Sequence, residues 1–576
     1  MTGRTFAAVA ALLINFAPLP AAADGLAGAY LAGRQARFDG DYQVAADYYT
    51  QALARDPGNP TLMEATVLSF LSLGRIDRAL PVASTMEAEG LKSQISQMVL
   101  MTDEAWNGRY DDLVDRIQDQ RGIGPLVDGL VEAWAELGKG AMTDAVALFD
   151  KAADEPGQRS FALYHKAIAL AMVGDFEGAE EILGDPGSGA GLLTRRGVIA
   201  RVEVLSQLDR NDDAAALLEE RFGASLDPEL AGMRDRLKAG ERLDFDIVTS
   251  VRDGMAEVLY TVAGALKSAT EARDADTILF ARMAEYLRPG HVDAILLTAE
   301  ILDDMEQYDL ATQTYRKVPR DDPAYHAAEL GRADALRKAG KTDAAIEVLE
   351  QLAETQPELA VAHNALGDLM RTLGRYDEAV KAYDRAIALY PEGDRSEWFV
   401  YYARGICNER VDDWPKAEAD FRKALEIDPE RPEVLNYLGY SMVEKHENLD
   451  EALGMIERAV AQRPDSGYIV DSLGWALYRL GRYDEAVAHM EHAAELMSVD
   501  PVVNDHLGDV YWAVGRKREA LVQWKRALSF VDFGDTAEDA EPDRIRRKIE
   551  IGLDKVLAEE GAPPLKVADK AAASGD

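Results

Sequence analysis

The chain is predicted to be all-α, a solenoid of antiparallel helix pairs. Three observations lead there. Small residues recur with a period of 34 over nearly all of the 576 residues. The apolar share of 47% supports a large core, while a single Cys excludes a disulfide scaffold. Pro residues that stop helices fall at the same place in successive periods.

The first element is a leader. Met1-Thr2-Gly3-Arg4 is a short basic start, Phe6 to Ala17 is apolar, and Pro18-Leu19-Pro20 breaks the run before Ala21-Ala22-Ala23. This reads as a signal peptide, residues 1–23, cut after Ala23. The apolar run is shorter than the roughly 20 residues that span a bilayer. The mature chain is therefore expected to be exported, with no transmembrane segment. No Cys stands at the cleavage point, so a lipid anchor there is not available, and Cys407 alone cannot form an internal disulfide.

The repeats follow. From Gly33 the series Gly40, Tyr42, Ala45, Tyr49, Ala52, Pro57 has the same spacings as Gly374, Tyr376, Ala379, Tyr383, Ala386, Pro391 counted from Gly367. The anchor recurs at Val67, Met101, Ala133, Ala167 and near Val202, then at Ala265, Ala299, Ala333, Gly405, Gly439, Gly474 and Gly508. A small anchor lets the two helices of a pair approach closely. Ala379, Ala417, Ala486 and Ala520 supply the same contact from the second helix. Tyr383, Phe421 and Trp524 are expected to fill the gap between neighbouring pairs. The pattern resembles the tetratricopeptide repeat (TPR), in about fourteen units, which implies a right-handed superhelix with a concave face. A single helix of about 14 residues is marginal in water, so stacking must stabilise the units.

The period divides the chain into an N-terminal array (24–224), an irregular helical joint (225–261) holding Leu243-Asp244-Phe245-Asp246-Ile247-Val248, and a C-terminal array (262–530). The stretch Gly184 to Gly191 reads as a flexible loop between helices. Residues 531–561 are an acidic loop and then a helix with Ile545, Ile549, Leu553 and Val556 at helical spacing. That helix is expected to cap the array. The tail 562–576 reads as disordered.

Candidate chemistry is thin, and no enzyme is expected. The formal charge of −40 disfavours nucleic acid as a partner. Gly187-Ser188-Gly189-Ala190-Gly191 lacks the Lys and Ser/Thr of a phosphate-binding loop. His489 and His492, beside Glu491 and Glu495, read as a solvated helix face rather than a metal site. Cys407 reads as a small buried hydrophobe. No nucleophile elbow is present, and no cofactor or metal is expected.

The better candidate is the face lined by first helices. In the last five units it carries Asn364, Asp368, Tyr402, Glu409, Asn436, Tyr440, Asp471, Trp475, Tyr478, Asp505, Asp509 and Trp512. Amides can donate to and accept from a peptide backbone, and Tyr and Trp anchor interfaces. The positions that some such domains use to clamp a terminal carboxylate are not basic here.

Residues 397–530 also resemble Gram-negative envelope TPR lipoproteins that bind carboxyl-terminal processing proteases. Asp471-Ser472-Leu473-Gly474-Trp475-Ala476-Leu477-Tyr478-Arg479-Leu480-Gly481-Arg482 carries most of the likeness, with Leu438-Gly439-Tyr440-Ser441, Asn448-Leu449-Asp450-Glu451-Ala452 and His506-Leu507-Gly508-Asp509. The resemblance implies a non-catalytic periplasmic adaptor that binds partner proteins through its groove and activates, or delivers substrates to, an envelope protease. The chain departs from those adaptors in lacking a lipobox Cys. The alternative expectation is an assembly scaffold for envelope polysaccharide or outer-membrane machinery.

Overall fold

A computed structural model describes residues 25–190, 194–223, 226–269, 274–390, 397–531 and 540–565. The expected leader lies outside the described residues, as do 191–193 of the Gly-rich loop, 532–539 of the acidic loop and 566–576 of the tail. Among the described residues regular structure is helical throughout, in 31 helices. They form two compact units, Met1–Thr355 and Gln356–Asp576.

The first unit opens with six antiparallel pairs. These are α1 (Leu26–Phe38) with α2 (Tyr42–Leu53), α3 (Pro60–Ser72) with α4 (Ile76–Ala88), and α5 (Gln94–Trp106) with α6 (Tyr110–Gln118). Next come α7 (Pro125–Gly138) with α8 (Met142–Asp154), α9 (Arg159–Met172) with α10 (Phe176–Leu183), and α11 (Arg195–Gln207) with α12 (Asn211–Phe222). A lone helix, α13 (Pro228–Lys238), precedes α14 (Val251–Ser268) with α15 (Asp274–Leu287). Two more pairs close the unit: α16 (Val292–Asp304) with α17 (Tyr308–Tyr315), and α18 (Tyr325–Lys338) with α19 (Thr342–Thr355).

The second unit is a regular stack. Its pairs are α20 (Ala360–Thr372) with α21 (Tyr376–Leu389), α22 (Glu397–Arg410) with α23 (Trp414–Ile427), and α24 (Pro432–Lys445) with α25 (Leu449–Gln462). They continue with α26 (Gly467–Arg479) and α27 (Tyr483–Leu496), then α28 (Pro501–Ala513) and α29 (Lys517–Phe530). Two short helices, α30 (Pro542–Ile551) and α31 (Leu553–Glu559), follow. The 14 pairs fall where the period places them.

The turn inside a pair has a simple cause. Gly374 takes φ +70°, its N–H donates to the Arg371 carbonyl at 3.0 Å, and the Arg375 N–H donates to the Met370 carbonyl at 2.9 Å. That pairing satisfies the last carbonyls of α20 and reverses the chain. The acidic pair Asp377 and Glu378 then opens α21, where the helix dipole favours negative charge. Asp412 holds the same left-handed turn position at φ +62° without being Gly.

The anchor glycines are set by contact. A Cβ on Gly367 would lie 2.6 Å from the Tyr383 ring, and one on Gly405 2.7 Å from Phe421. A Cβ on Gly508 would meet the Trp524 indole at 2.4 Å. Tyr383, Phe421 and Trp524 therefore press on the glycine of their own pair, a contact that the expected role between neighbours did not include. Phe421 does both, since its ring is also 5.2 Å from that of Tyr437 in the next pair.

The division of the chain also differs from the expected arrays. Segment 225–261 lies inside the first unit, and one apolar core runs there from Met63 to Ala335. The reason is that α14 and α15 do not stack on α12. They pack against α3, α5, α7 and α9.

Substitution at two anchors separates rigid from yielding contacts. Gly508→Ala should cost more than about 2 kcal/mol, because Trp524 is fully buried and tied by its Nε1 to Asp509. Gly474→Ala should cost less, because its neighbour at 2.3 Å is the flexible Met490 thioether. Denaturant melts of both variants check the order, and equal losses would contradict it.

Candidate functional site

The faces formed by first helices differ between the two units. In the first, α14 and α15 occupy that face. The Trp106 ring meets Tyr286 at 5.1 Å and lies 4.5 Å beneath the Arg252 guanidinium. Arg282 donates from Nε to the Ser72 carbonyl at 3.2 Å, and a Cβ on Gly254 would touch the buried Trp134 indole at 2.4 Å. Gly254 is therefore a close approach of two helices.

At the centre of this contact Glu257 of α14 is wholly buried. Its carboxylate accepts from Tyr164 Oη at 2.8 Å, from Arg196 Nε at 2.9 and 3.1 Å, and from His291 Nε2 at 3.2 Å. Burial alone would push this carboxyl up. Arg196 and His291 outweigh it and hold the group well below the usual carboxylate range. His291 Nδ1 accepts from the Ala294 N–H, so its proton sits on Nε2, facing Glu257. His165 is also buried. Its Nδ1 accepts from the Trp134 indole and its Nε2 lies 3.2 Å from Thr261 Oγ1. Burial lowers its pKa to about 4. Segment 243–248 runs beside α11, where the Leu243 N–H donates to Ser206 Oγ and the Asp246 N–H to Glu203.

The second unit keeps an open face. A cleft of about 720 Å³ crosses α22, α24, α26 and α28. Asn436, Tyr440 and Asp471 line it, together with Glu409, Tyr468 and His506. Tyr468 is 47% exposed. Beside it Tyr402 packs between Trp398 and Tyr437, with ring centroids 6.3 and 5.8 Å away.

The other predicted residues are placed differently. Trp475 is only 9% exposed, stacked between Tyr478 at 4.7 Å and His506 at 3.9 Å, and its Nε1 donates to Glu444 at 2.7 Å. Trp475 and the buried Tyr478 thus support the face from beneath. Asp471 holds His506 Nδ1 at 3.0 Å, and burial and this carboxylate act in opposite directions on the imidazole, whose pKa ends raised. Asn364 donates to Asp368, which also accepts from Tyr383 Oη at 2.8 Å. Asp505, Asp509 and Trp512 are covered by the chain itself. Lys548 of α30, wholly buried, reaches Asp505 and Asp509 at 2.7 Å, and the Trp512 indole donates to Asp554 of α31 at 3.0 Å. A Cβ on Gly552 would sit 2.6 Å from the Trp512 ring, so the α30–α31 turn rests on that indole.

Sequence reasoning missed Glu257, Arg196, Tyr437 and Tyr468. A signal for the first existed: Glu257 stands among Met255, Ala256, Val258 and Leu259, the apolar run of α14 that the fold buries. Cys407 is buried and its thiol is pushed up to about 11 by that burial. His492 lies on α27 beside Glu495. The described part of the Gly-rich loop is held by its own turn, with Ser188 Oγ donating to the Ile182 carbonyl. No helix among the described residues is long and apolar enough to cross a membrane.

Models of the tetratricopeptide repeat match residues 30–90, 330–394 and 444–499, and a second model of that repeat matches 398–431. These stretches are tetratricopeptide repeats. The TPR repeat-containing protein PA4667 of Pseudomonas aeruginosa is 27% identical over 169 residues, which cover 29% of this chain and 28% of that protein. The protein CTR9 homolog of Arabidopsis thaliana is 25% identical over 150 residues, 26% of this chain and 14% of its own length. The chain thus spans under a third of either relative. Among solved structures, the APC/C hetero-tetramer Cut9-Hcn1 is 15% identical over 90% of this chain and 95% of its own, with a TM-score of 0.37. Yeast Tom70 is 15% identical over 93% and 98%, with a TM-score of 0.28. Nothing about this chain's partners rests on either likeness.

Two outcomes follow from the buried groups. His165 is neutral when folded and titrates near 6.5 when unfolded, so its contribution is complete above 6.5 and is lost as pH falls toward 4. Against His165→Leu, the wild type should lose on the order of 1.4 kcal/mol per pH unit across that window. Paired melts at pH 7 and 5 measure it, and a constant gap would contradict it. Lys548→Ala should cost about 3 kcal/mol by taking the nearest cation from the buried Asp509, with Arg544 left at 3.9 Å. Lys548→Ala combined with Asp509→Asn should regain part of that loss in the same melts.

Proposed function

We propose that the protein is a non-catalytic scaffold that binds partner proteins through the first-helix face of its second unit. One observation carries the reading: the cleft across α22, α24, α26 and α28 is open, whereas the same face of the first unit is filled by α14 and α15. The open face offers what interfaces use, half-buried aromatic rings beside polar groups. The leader-like start and the likeness of 397–530 to envelope adaptors support a finer reading. In it the protein is exported to the periplasm and serves a carboxyl-terminal processing protease as adaptor.

Affinity capture from a native envelope extract tests this, with Tyr440→Ala/Tyr468→Ala as the control. The proposal expects a protease retained by the wild type and lost by the variant, whose melting is unchanged. Membrane-assembly complexes held equally by both would overturn the protease reading in favour of an assembly scaffold. N-terminal sequencing of the protein from the native host should begin at Asp24, and an uncut Met1 would overturn export.

A further inference from the structure

The open cleft has a chemistry of its own. Five carboxylates line it, from Glu409, Asp412, Glu444, Asp471 and Asp500, against two full cations. Glu444 is already paired with Arg479, and Asp471 with His506. One of the two cations, Lys445, sits over the Trp414 ring at 5.1 Å. Glu409 accepts from the neutral Tyr437 hydroxyl, and Asp412 is exposed at the turn after α22. The other cation, Arg410, stands between Glu409 and Asp412, so the α22 end carries two carboxylates against one guanidinium.

A second observation is independent of charge. Asn436 lines the same cleft, is 7% exposed, and its Oδ1 has no hydrogen-bond partner. A buried amide oxygen left unpaired is costly. A donor that reaches this oxygen recovers that cost. Backbone N–H groups of an extended peptide are such donors.

We propose that the cleft takes a lysine- or arginine-bearing extended segment of a partner protein. Its backbone pairs with Asn436, and its cation lies at the Glu409–Asp412 end. This rests on the reading that a partner uses this face, and it names the chemistry of that partner.

The probes are two fluorescently labelled octapeptides, alternating Ala-Lys and alternating Ala-Glu, titrated into the full chain and followed by anisotropy. Glu409→Gln/Asp412→Asn keeps the Tyr437 hydrogen bond and the left-handed turn, and Asn436→Leu keeps volume while removing the amide. Glu426→Gln/Glu430→Gln removes the same charge outside the residues that line the cleft.

The Ala-Lys peptide should bind and the Ala-Glu peptide should not. Glu409→Gln/Asp412→Asn and Asn436→Leu should each weaken binding about tenfold, with the off-face pair near wild type. Equal weakening by the off-face pair would reduce the effect to bulk charge and overturn the proposal, as would binding of both peptides. If neither peptide binds while Tyr440→Ala/Tyr468→Ala still loses its captured protein, the face reading stands and the cationic segment is overturned. If capture is also unchanged in that variant, both fall.

Discussion

The first unit depends on how one carboxylate is kept charged out of water. Glu257 sits where α9, α11, α14 and α16 meet, and each of the other three contributes a partner or the turn that aims one. An unpaired charge there would cost several kcal/mol, more than most single contacts return. The hydrogen bonds therefore do more than attach α14. They select its register, because a helix slid by one turn would take the carboxylate away from these partners. Arg196 extends the same network to Asp293 and to the Ile247 carbonyl, which ties segment 243–248 into it.

That arrangement explains why two stretches of one repeat sequence do different things. A stack of helix pairs presents its first helices on one side, and that side is either covered or exposed. In the first unit the chain turns back after α12, runs beside α11 and places α14–α15 over α3 to α9, so the face becomes core. A second cleft of about 750 Å³ remains there, between the α1–α2 and α16–α17 turns. Three of its four cations are already matched, Arg282 and Lys317 with Glu285 and Lys341 with Asp309. In the second unit only the last pair is covered, by α30 and α31 through Lys548. The cleft on its first-helix face holds the unpaired amide oxygen of Asn436 and more carboxylates than cations.

Much of the fold was legible because each repeat states the same local physics again. A small anchor, a turn glycine, an acidic first turn and a late Pro together specify a helix pair, and Gly367 with Tyr383 shows the logic in one contact. The candidate face was legible as positions and not as exposure. Trp475 and Tyr440 stand at equivalent places in their helices, yet Trp475 is buried by Tyr478 and His506, which come from its own helix and the next pair. Asp509 was read as a groove carboxylate because Lys548 is 39 residues away and only folding brings it there. Glu257 escaped notice for the same reason: its partners lie 34, 61 and 93 residues distant in sequence.

The most direct test of the account is hydrogen–deuterium exchange of the intact chain, read by mass spectrometry over α14. The account predicts that amides of residues 251–268 exchange as slowly as those of α7 and α9, since all three helices would open only with the whole unit. Exchange of α14 on the timescale of the exposed loops, with α7 and α9 still protected, would show a detached hairpin and contradict the claim that the first unit fills its own face.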